Sequence, residues 1–269
     1  MRAIGFNAGQ YGDLAMNLVA CRALKESVAD CHITFGIGNK YADCKEAFLN
    51  NPYIDAIHIW DSYDGWPKDA DKEYLKEQKF DHVFNAMPKV HYNLWYTQWH
   101  QTTEVCLMHG LRPPVNLEIH LNRYWPKIEK YKDYVAISSF TSFGECKSIS
   151  IDKTKRIIDY IHKLGLKTIH LNGSGEPDLG IEKSDCSYFE SIKIMTSCKF
   201  LLAADTGMNW FASGYKQKVL GLYGYEYYPY CKTSKNWQPI NESAIYLEAK
   251  HANLVEDDTI FSKIDLLNS

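Results

Sequence analysis

Two rounds of one alternation, short apolar runs followed by amphipathic stretches, constrain the fold of this chain more than any other feature. In the first round, strand patterns at 2–6, 32–37, 56–60, 80–87 and 115–121 are interleaved with helical patterns. One helix begins at Asp13 and carries Leu14, Leu18, Cys21, Leu24 and Val28 on one face; others fall near 41–50, 69–79 and 93–110. The polar, Pro-containing segment NRYWPKIEKYKD then reads as a linker. The alternation restarts with strands at 134–139, 167–173, 199–205 and 218–224, and helices at 151–164, 187–198 and 208–215. Successive βαβ units build parallel sheets. The expected fold is α/β, with Rossmann-like domains over 1–125 and 133–245. The tail 246–269 is expected to be helical and to pack back on the N-terminal domain. In such sheets ligands bind beyond the carboxyl ends of the strands, so the residues just after each strand are the ones to examine.

Composition narrows the function classes. Hydrophobic residues make up 45% and charged residues 23% of the 269, ordinary for a water-soluble domain, and no apolar run approaches the length of a membrane span. A formal net charge of −3 gives no basic field for nucleic acid, which is not an expected partner, and at most peripheral membrane contact is expected. The N-terminus reaches Gly and Asp too soon for a signal peptide. The eight cysteines are scattered without a CxxC pair and read as reduced thiols of a cytoplasmic protein.

The apolar run FLLAAD ends in Asp205-Thr206-Gly207 and a helical pattern begins at once. Helix capping, half of an aspartic protease and a phosphate cradle would each account for it. A protease needs two carboxylates sharing a proton, and the chain has no second Asp-Thr/Ser-Gly. Gly207 admits a ligand close to the backbone, and helix-start amides favour an anion, so capping and a phosphate cradle stay open. At the first strand, NAGQYGD lacks a dinucleotide fingerprint, because Asn7 stands where the first Gly belongs and the second strand ends without an acid. No P-loop follows either. Asp13 reads locally as a helix cap, worth about 1 kcal/mol. Asp69-Ala70-Asp71 has the DxD form of a metal site but lies in a charged stretch that reads as a helix start. The histidines show no ligand spacing, so no metal is expected. Trp95 and Trp99, four apart in an aromatic-rich stretch, would suit either a core or a sugar face.

In its order of pieces the chain resembles the heptosyltransferase family, glycosyltransferase family 9, across nearly its whole length. The residues that carry the resemblance are Gly12-Asp13 and Cys21-Arg22-Ala23-Leu24-Lys25, Asn51-Pro52-Tyr53-Ile54-Asp55, Phe80-Asp81-His82-Val83, and Asp205-Thr206-Gly207 before an apolar strand ending Tyr223-Gly224. The resemblance implies a GT-B fold, two Rossmann-like domains facing across a cleft, and inverting, metal-independent transfer from a nucleotide-diphospho-sugar to a glycan or glycolipid hydroxyl. It implies Asp13 as general base, with Gly12 beside it a candidate acceptor or sugar contact. Thr206 and Gly207, after Asp205, would hold the donor pyrophosphate. Lys147 would contact phosphate and Glu176 the donor ribose; Trp95, Trp99 and Trp210 are candidate acceptor or sugar contacts. No cofactor is implied beyond the donor substrate. Trp210 stands where the family has His, and Ser148-Ile149 where it has Trp-Pro, so the donor can differ from the family's ADP-heptose. The alternatives are an inactive sugar-nucleotide- or glycan-binding protein of the same fold, a GT-B-like epimerase, and a nucleic-acid glycosyltransferase.

Overall fold

A computed structural model describes residues 1–6, 10–61, 69–85, 100–121, 125–141, 147–171, 175–226 and 233–269. The chain divides into two compact units, Met1–Arg123 and Tyr124–Ser269.

In the first unit β1 (Arg2–Phe6), β2 (His32–Gly38), β3 (Ala56–Trp60) and β4 (His82–Asn85) form one sheet in the order β3-β2-β1-β4. All pairs are parallel, with Ala3 opposite Ile33 on one side and His82 on the other. The helix α1 (Tyr11–Ser27) crosses from β1 to β2 and is buried along most of its length. Leu14, Leu18, Cys21 and Leu24 face the core as the pattern predicts. The residues that carried the resemblance here tie elements together. Lys25 reaches Asp55 at 2.6 Å, and Asp55 accepts the Ile33 amide at 2.6 Å, which pins the start of β2 to α1.

Several local expectations change. The helix near 41–50 is a 3-10 helix, Asn39–Phe48, that buries Tyr41, Cys44, Ala47 and Phe48. The charged helix is α2 (Asp69–Gln78), but Asp71 is buried rather than solvated and accepts the Asp61 amide at 2.9 Å. Of the pattern at 93–110, α3 (Gln101–Met108) is described, while 93–99 lie outside the described residues. Residues 115–121 form no strand. Side chains take the backbone acceptors there: Arg22 donates to the Asn116 carbonyl at 3.0 Å and Asn51 to that of His120, so no sheet partner is required.

The second unit holds β5 (Tyr134–Ser138), β6 (Lys167–His170), β7 (Glu182–Lys183), β8 (Phe200–Ala203), β9 (Val219–Gly224) and β10 (Ala244–Ala249). The order is β10-β9-β8-β5-β6-β7, again all parallel. Helices α4 (Ile151–Lys163), α5 (Tyr188–Ser197) and α6 (Gly207–Gly214) lie in the crossovers, and α7 (Asp257–Asn268) ends the chain. The strands β7 and β10 escape the sequence pattern because one is two residues long and the other is a half-buried edge strand. Of the tail 246–269, the first residues belong to β10 and only α7 is an α-helix, which buries one face in the core of the second unit. Ile260, Ile264 and Leu267 join the core of β5, β8 and α4, Phe261 stacks on Tyr160 at 4.1 Å, and Asp257 binds Arg156 at 2.7 Å. The six described cysteines are free thiols, five of them buried. Among the described residues no helix is long and apolar enough to cross a membrane.

In α3, Glu104 is only 5% exposed, and burial pushes its carboxyl up to about 7. The folded state therefore keeps a proton that the unfolded chain releases near pH 4.3. Stability from this group is full below that value and falls as pH rises through about 7, by at most ~1.4 kcal/mol per unit. Denaturant melts from pH 5 to 8 should show wild type losing ground to Glu104→Gln. Parallel pH profiles would contradict the assignment.

Candidate functional site

Both sheets contain a point where successive strands stop adding on one side and begin on the other. In the second unit it lies between β5 and β8, in the first between β1 and β4. At such a point the two crossovers leave on opposite faces and open a crevice at the carboxyl ends.

At the crevice of the second sheet, β5 ends at Ser138 and β8 runs into Ala204-Asp205-Thr206. Pairing of Ile137 with Leu202 and of Ser138 with Ala203 sets both ends level. The loop after β5 is closed by the Ile149 amide on the Ser139 carbonyl at 2.8 Å and the Thr141 amide on Ser148 Oγ at 3.1 Å. That closure returns Lys147 to the crevice, where its Nζ lies 2.8 Å from Asp205 Oδ2. Both side chains are about nine-tenths buried, at 10% and 9% exposure.

Thr206 is the N-cap of α6, yet its side chain caps nothing. Its Oγ1 lies 3.2 Å from Ser138 Oγ instead. The helix start thus has neither a capping side chain nor an acid in its first turn, and its leading amides keep the partial positive charge that attracts an anion. Asn209 holds the turn from below. Its Nδ2 donates to the Ala204 carbonyl at 2.5 Å and to Tyr223 Oη at 3.2 Å. Burial, with Asp205's charge adding to it, pushes the Tyr223 phenol well above its ordinary range, so it stays neutral. Gly221 leaves room for the Tyr246 ring of β10, because a Cβ there would stand 2.5 Å from it.

One strand over, β6 ends at His170, fully buried, whose Nε2 lies 3.0 Å from Glu176 Oε2. Gly175, with φ +83, makes the turn that presents Glu176. In the first unit Gly12 and Asp13 lie at the start of α1 beyond β1. Asp13 is the third helical residue and half of a capping box, accepting the Gln10 amide at 2.6 Å.

The structure therefore brings Lys147, Asp205, Thr206 and the Gly207 helix start together and sets Glu176 beyond the neighbouring strand. Gly12 and Asp13 belong to the other unit. Trp210, on α6, is only 7% exposed, so any sugar contact would be through a narrow edge. Trp95 and Trp99 lie outside the described residues. Ser138, His170 and Asn209 have no role in the sequence reading, and Tyr223 enters it only as the end of an apolar strand. The available signal was polar residues closing the apolar runs YVAIS and KTIH.

No family model and no curated protein matches this sequence. Solved structures do. A glycosyltransferase family 9 protein from Veillonella parvula DSM 2008 superposes with a TM-score of 0.74 at 15% identity, over 99% of this chain and 96% of that one. E. coli ADP-heptose lipopolysaccharide heptosyltransferase II gives 0.73 at 10% identity, over 99% and 98%. E. coli heptosyltransferase WaaC with ADP gives 0.70 at 12%, over 99% and 100%. The chain thus has the fold of the family 9 glycosyltransferases, the expected α/β architecture of two parallel-sheet units.

Removing one partner of a buried ion pair strands the other charge. Lys147→Met should cost about 3 kcal/mol in urea melts, and the double variant Lys147→Met/Asp205→Asn should recover much of that. Strictly additive losses would mean the two side chains are not coupled.

Proposed function

We propose that this protein is an inverting glycosyltransferase that moves a sugar from a nucleotide-diphospho-sugar to an acceptor hydroxyl without a metal. The observation that carries the reading is the buried Lys147–Asp205 pair beside the uncapped start of α6, at the switch point of the second sheet. Among solved proteins of this fold, WaaC is bound to ADP, and the iron-containing heptosyltransferase TibC to ADP-D-beta-D-heptose.

The amides at Gly207 and Met208 would take the donor diphosphate, and the Lys147 ammonium, with three donors, would bridge it to Asp205. Asp205 holds the Lys147 side chain in place before the donor arrives. Glu176 would accept the ribose hydroxyls, the part an acid beyond the second strand plays in this strand order. In the other unit Asp13 would take the proton of the acceptor hydroxyl. That oxygen attacks the anomeric carbon from the face opposite the diphosphate. The bond from anomeric carbon to diphosphate oxygen breaks, its electron pair leaves with the nucleoside diphosphate, and the configuration inverts. Positive charge for the leaving group would come from Lys147 and the helix start, the work a divalent cation does in metal-dependent transfer. A cytoplasmic setting and a glycan or glycolipid acceptor belong to this proposal.

A second reading has one observation in its favour. Asp13 is engaged in a capping box, which is how a purely structural carboxylate would be used in an inactive nucleotide-sugar-binding protein. Release of nucleoside diphosphate from ADP-, GDP-, UDP-, dTDP- and CMP-sugars, with candidate acceptors, separates the two. Turnover with one donor class, falling about 100-fold or more in Asp13→Asn at unchanged donor affinity, supports transfer. Donor binding with no turnover supports the binding protein, and a near-normal rate in Asp13→Asn makes that residue a helix cap only.

A further inference from the structure

The end of β6 holds a histidine for which packing gives no reason. His170 is fully buried, opposite Ile137 on one side and Lys183 on the other, with its ring edge-on to Phe140 at 5.8 Å. Among the described residues neither ring nitrogen has a hydrogen bond, although Nε2 lies 3.0 Å from Glu176 Oε2. The distance suits a bond but the alignment does not, and Oε2 is likewise buried without one. One residue past β5, the Ser139 hydroxyl is also buried and has no hydrogen bond among the described residues. Such groups are rare in folded proteins and costly. An apolar residue in place of His170 would close the strand KTIH without that cost.

The Glu176 side chain is 24% exposed, with Oε2 as its inward oxygen, which leaves Oε1 on the open side. A carboxylate only accepts, so a bond between the two needs the imidazole proton on Nε2.

We propose that His170 is a positioning residue: it fixes Glu176 through Oε2 so that Oε1 faces the 2′ and 3′ hydroxyls of the donor ribose. The proposal rests on reading this unit as the nucleotide-sugar site and adds the element that orients its acid. Diol bonds at Oε1 turn the carboxylate and bring Oε2 into line with Nε2. The buried pair is thereby completed only when ribose is present. The arrangement makes affinity depend on the sugar hydroxyls of the nucleotide, separately from the diphosphate at the Gly207 and Met208 amides.

Calorimetric titration of ADP, GDP, UDP and CDP identifies the tightest nucleotide, which is then compared with its 2′,3′-dideoxy form and with inorganic pyrophosphate. Wild type should favour the ribose form about tenfold or more. Glu176→Gln and His170→Leu should each bring the ratio close to one, with pyrophosphate affinity changed less than about threefold. If His170→Leu keeps the full preference while Glu176→Gln loses it, the positioning role is wrong. A wild type that binds pyrophosphate but ignores the ribose hydroxyls also overturns it and leaves the diphosphate site standing. Failure to bind any nucleotide or pyrophosphate overturns both. A second measurement needs no change at His170: in 15N-histidine NMR its Nε2–H signal should shift with the nucleotide and stay put with pyrophosphate. An unmoved signal with nucleotide, or the same shift with pyrophosphate, would contradict the proposal.

Discussion

Parallel pairing of β5 with β8 is the constraint on which the candidate site depends. These strands are distant in sequence, yet Val135, Ala136, Ile137 and Ser138 stand opposite Phe200, Leu201, Leu202 and Ala203. Because β6 and β7 extend the sheet on one side and β9 and β10 on the other, the connections diverge at this pair. The crevice so formed lies at carboxyl ends, where the sheet's own residues leave a helix start and two loops to meet a ligand. Burial of the four β8 side chains holds the register, and the register sets Ser138 beside Thr206.

Around that pair the molecule places polar groups where a core would ordinarily be apolar. Lys147 and Asp205 share one buried ion pair, Asn209 clamps the backbone just before the turn, and a neutral Tyr223 closes the floor. A buried ion pair is a poor source of stability compared with apolar packing. Its value here is placement: the Lys147 charge is held within reach of the α6 start, in a region dry enough for electrostatics to be strong. The first sheet repeats the arrangement more sparely, with Gly12 and Asp13 beyond β1 at its own switch point. There the carboxylate is held by the Gln10 amide, so its orientation is set by the helix it helps to cap.

Much of the fold is legible in the sequence because parallel strands buried on both faces read as continuous apolar runs. KFLLAAD and KVLGLYG are of this kind, and both are central strands. The strand β10 is missed because SAIYLEA is a half-buried edge, and residues 115–121 mislead because their alternation buries Ile119 and Leu121 while Arg22 and Asn51 take the Asn116 and His120 carbonyls. Among site residues, Asp205 and Gly207 stand out locally, since an apolar run that stops at Asp-Thr-Gly needs an explanation. Lys147 and Glu176 are different. Their roles come from folding back across the loops after β5 and β6, and only the family resemblance marked them in advance. His170 carries no sequence signal beyond being a polar residue at the end of a strand. Its meaning depends on Glu176, six positions on, returning to within 3.0 Å.

The most direct test is the position of the diphosphate in a crystal structure of the whole protein with a bound nucleoside diphosphate. The predicted result places its phosphate oxygens on the Gly207 and Met208 amides and on Lys147, with the ribose toward Glu176. A nucleotide seated beyond β1 and β4 of the first unit, or one whose phosphates bypass the Asp-Thr-Gly turn, would contradict the reading of the second sheet as the donor site.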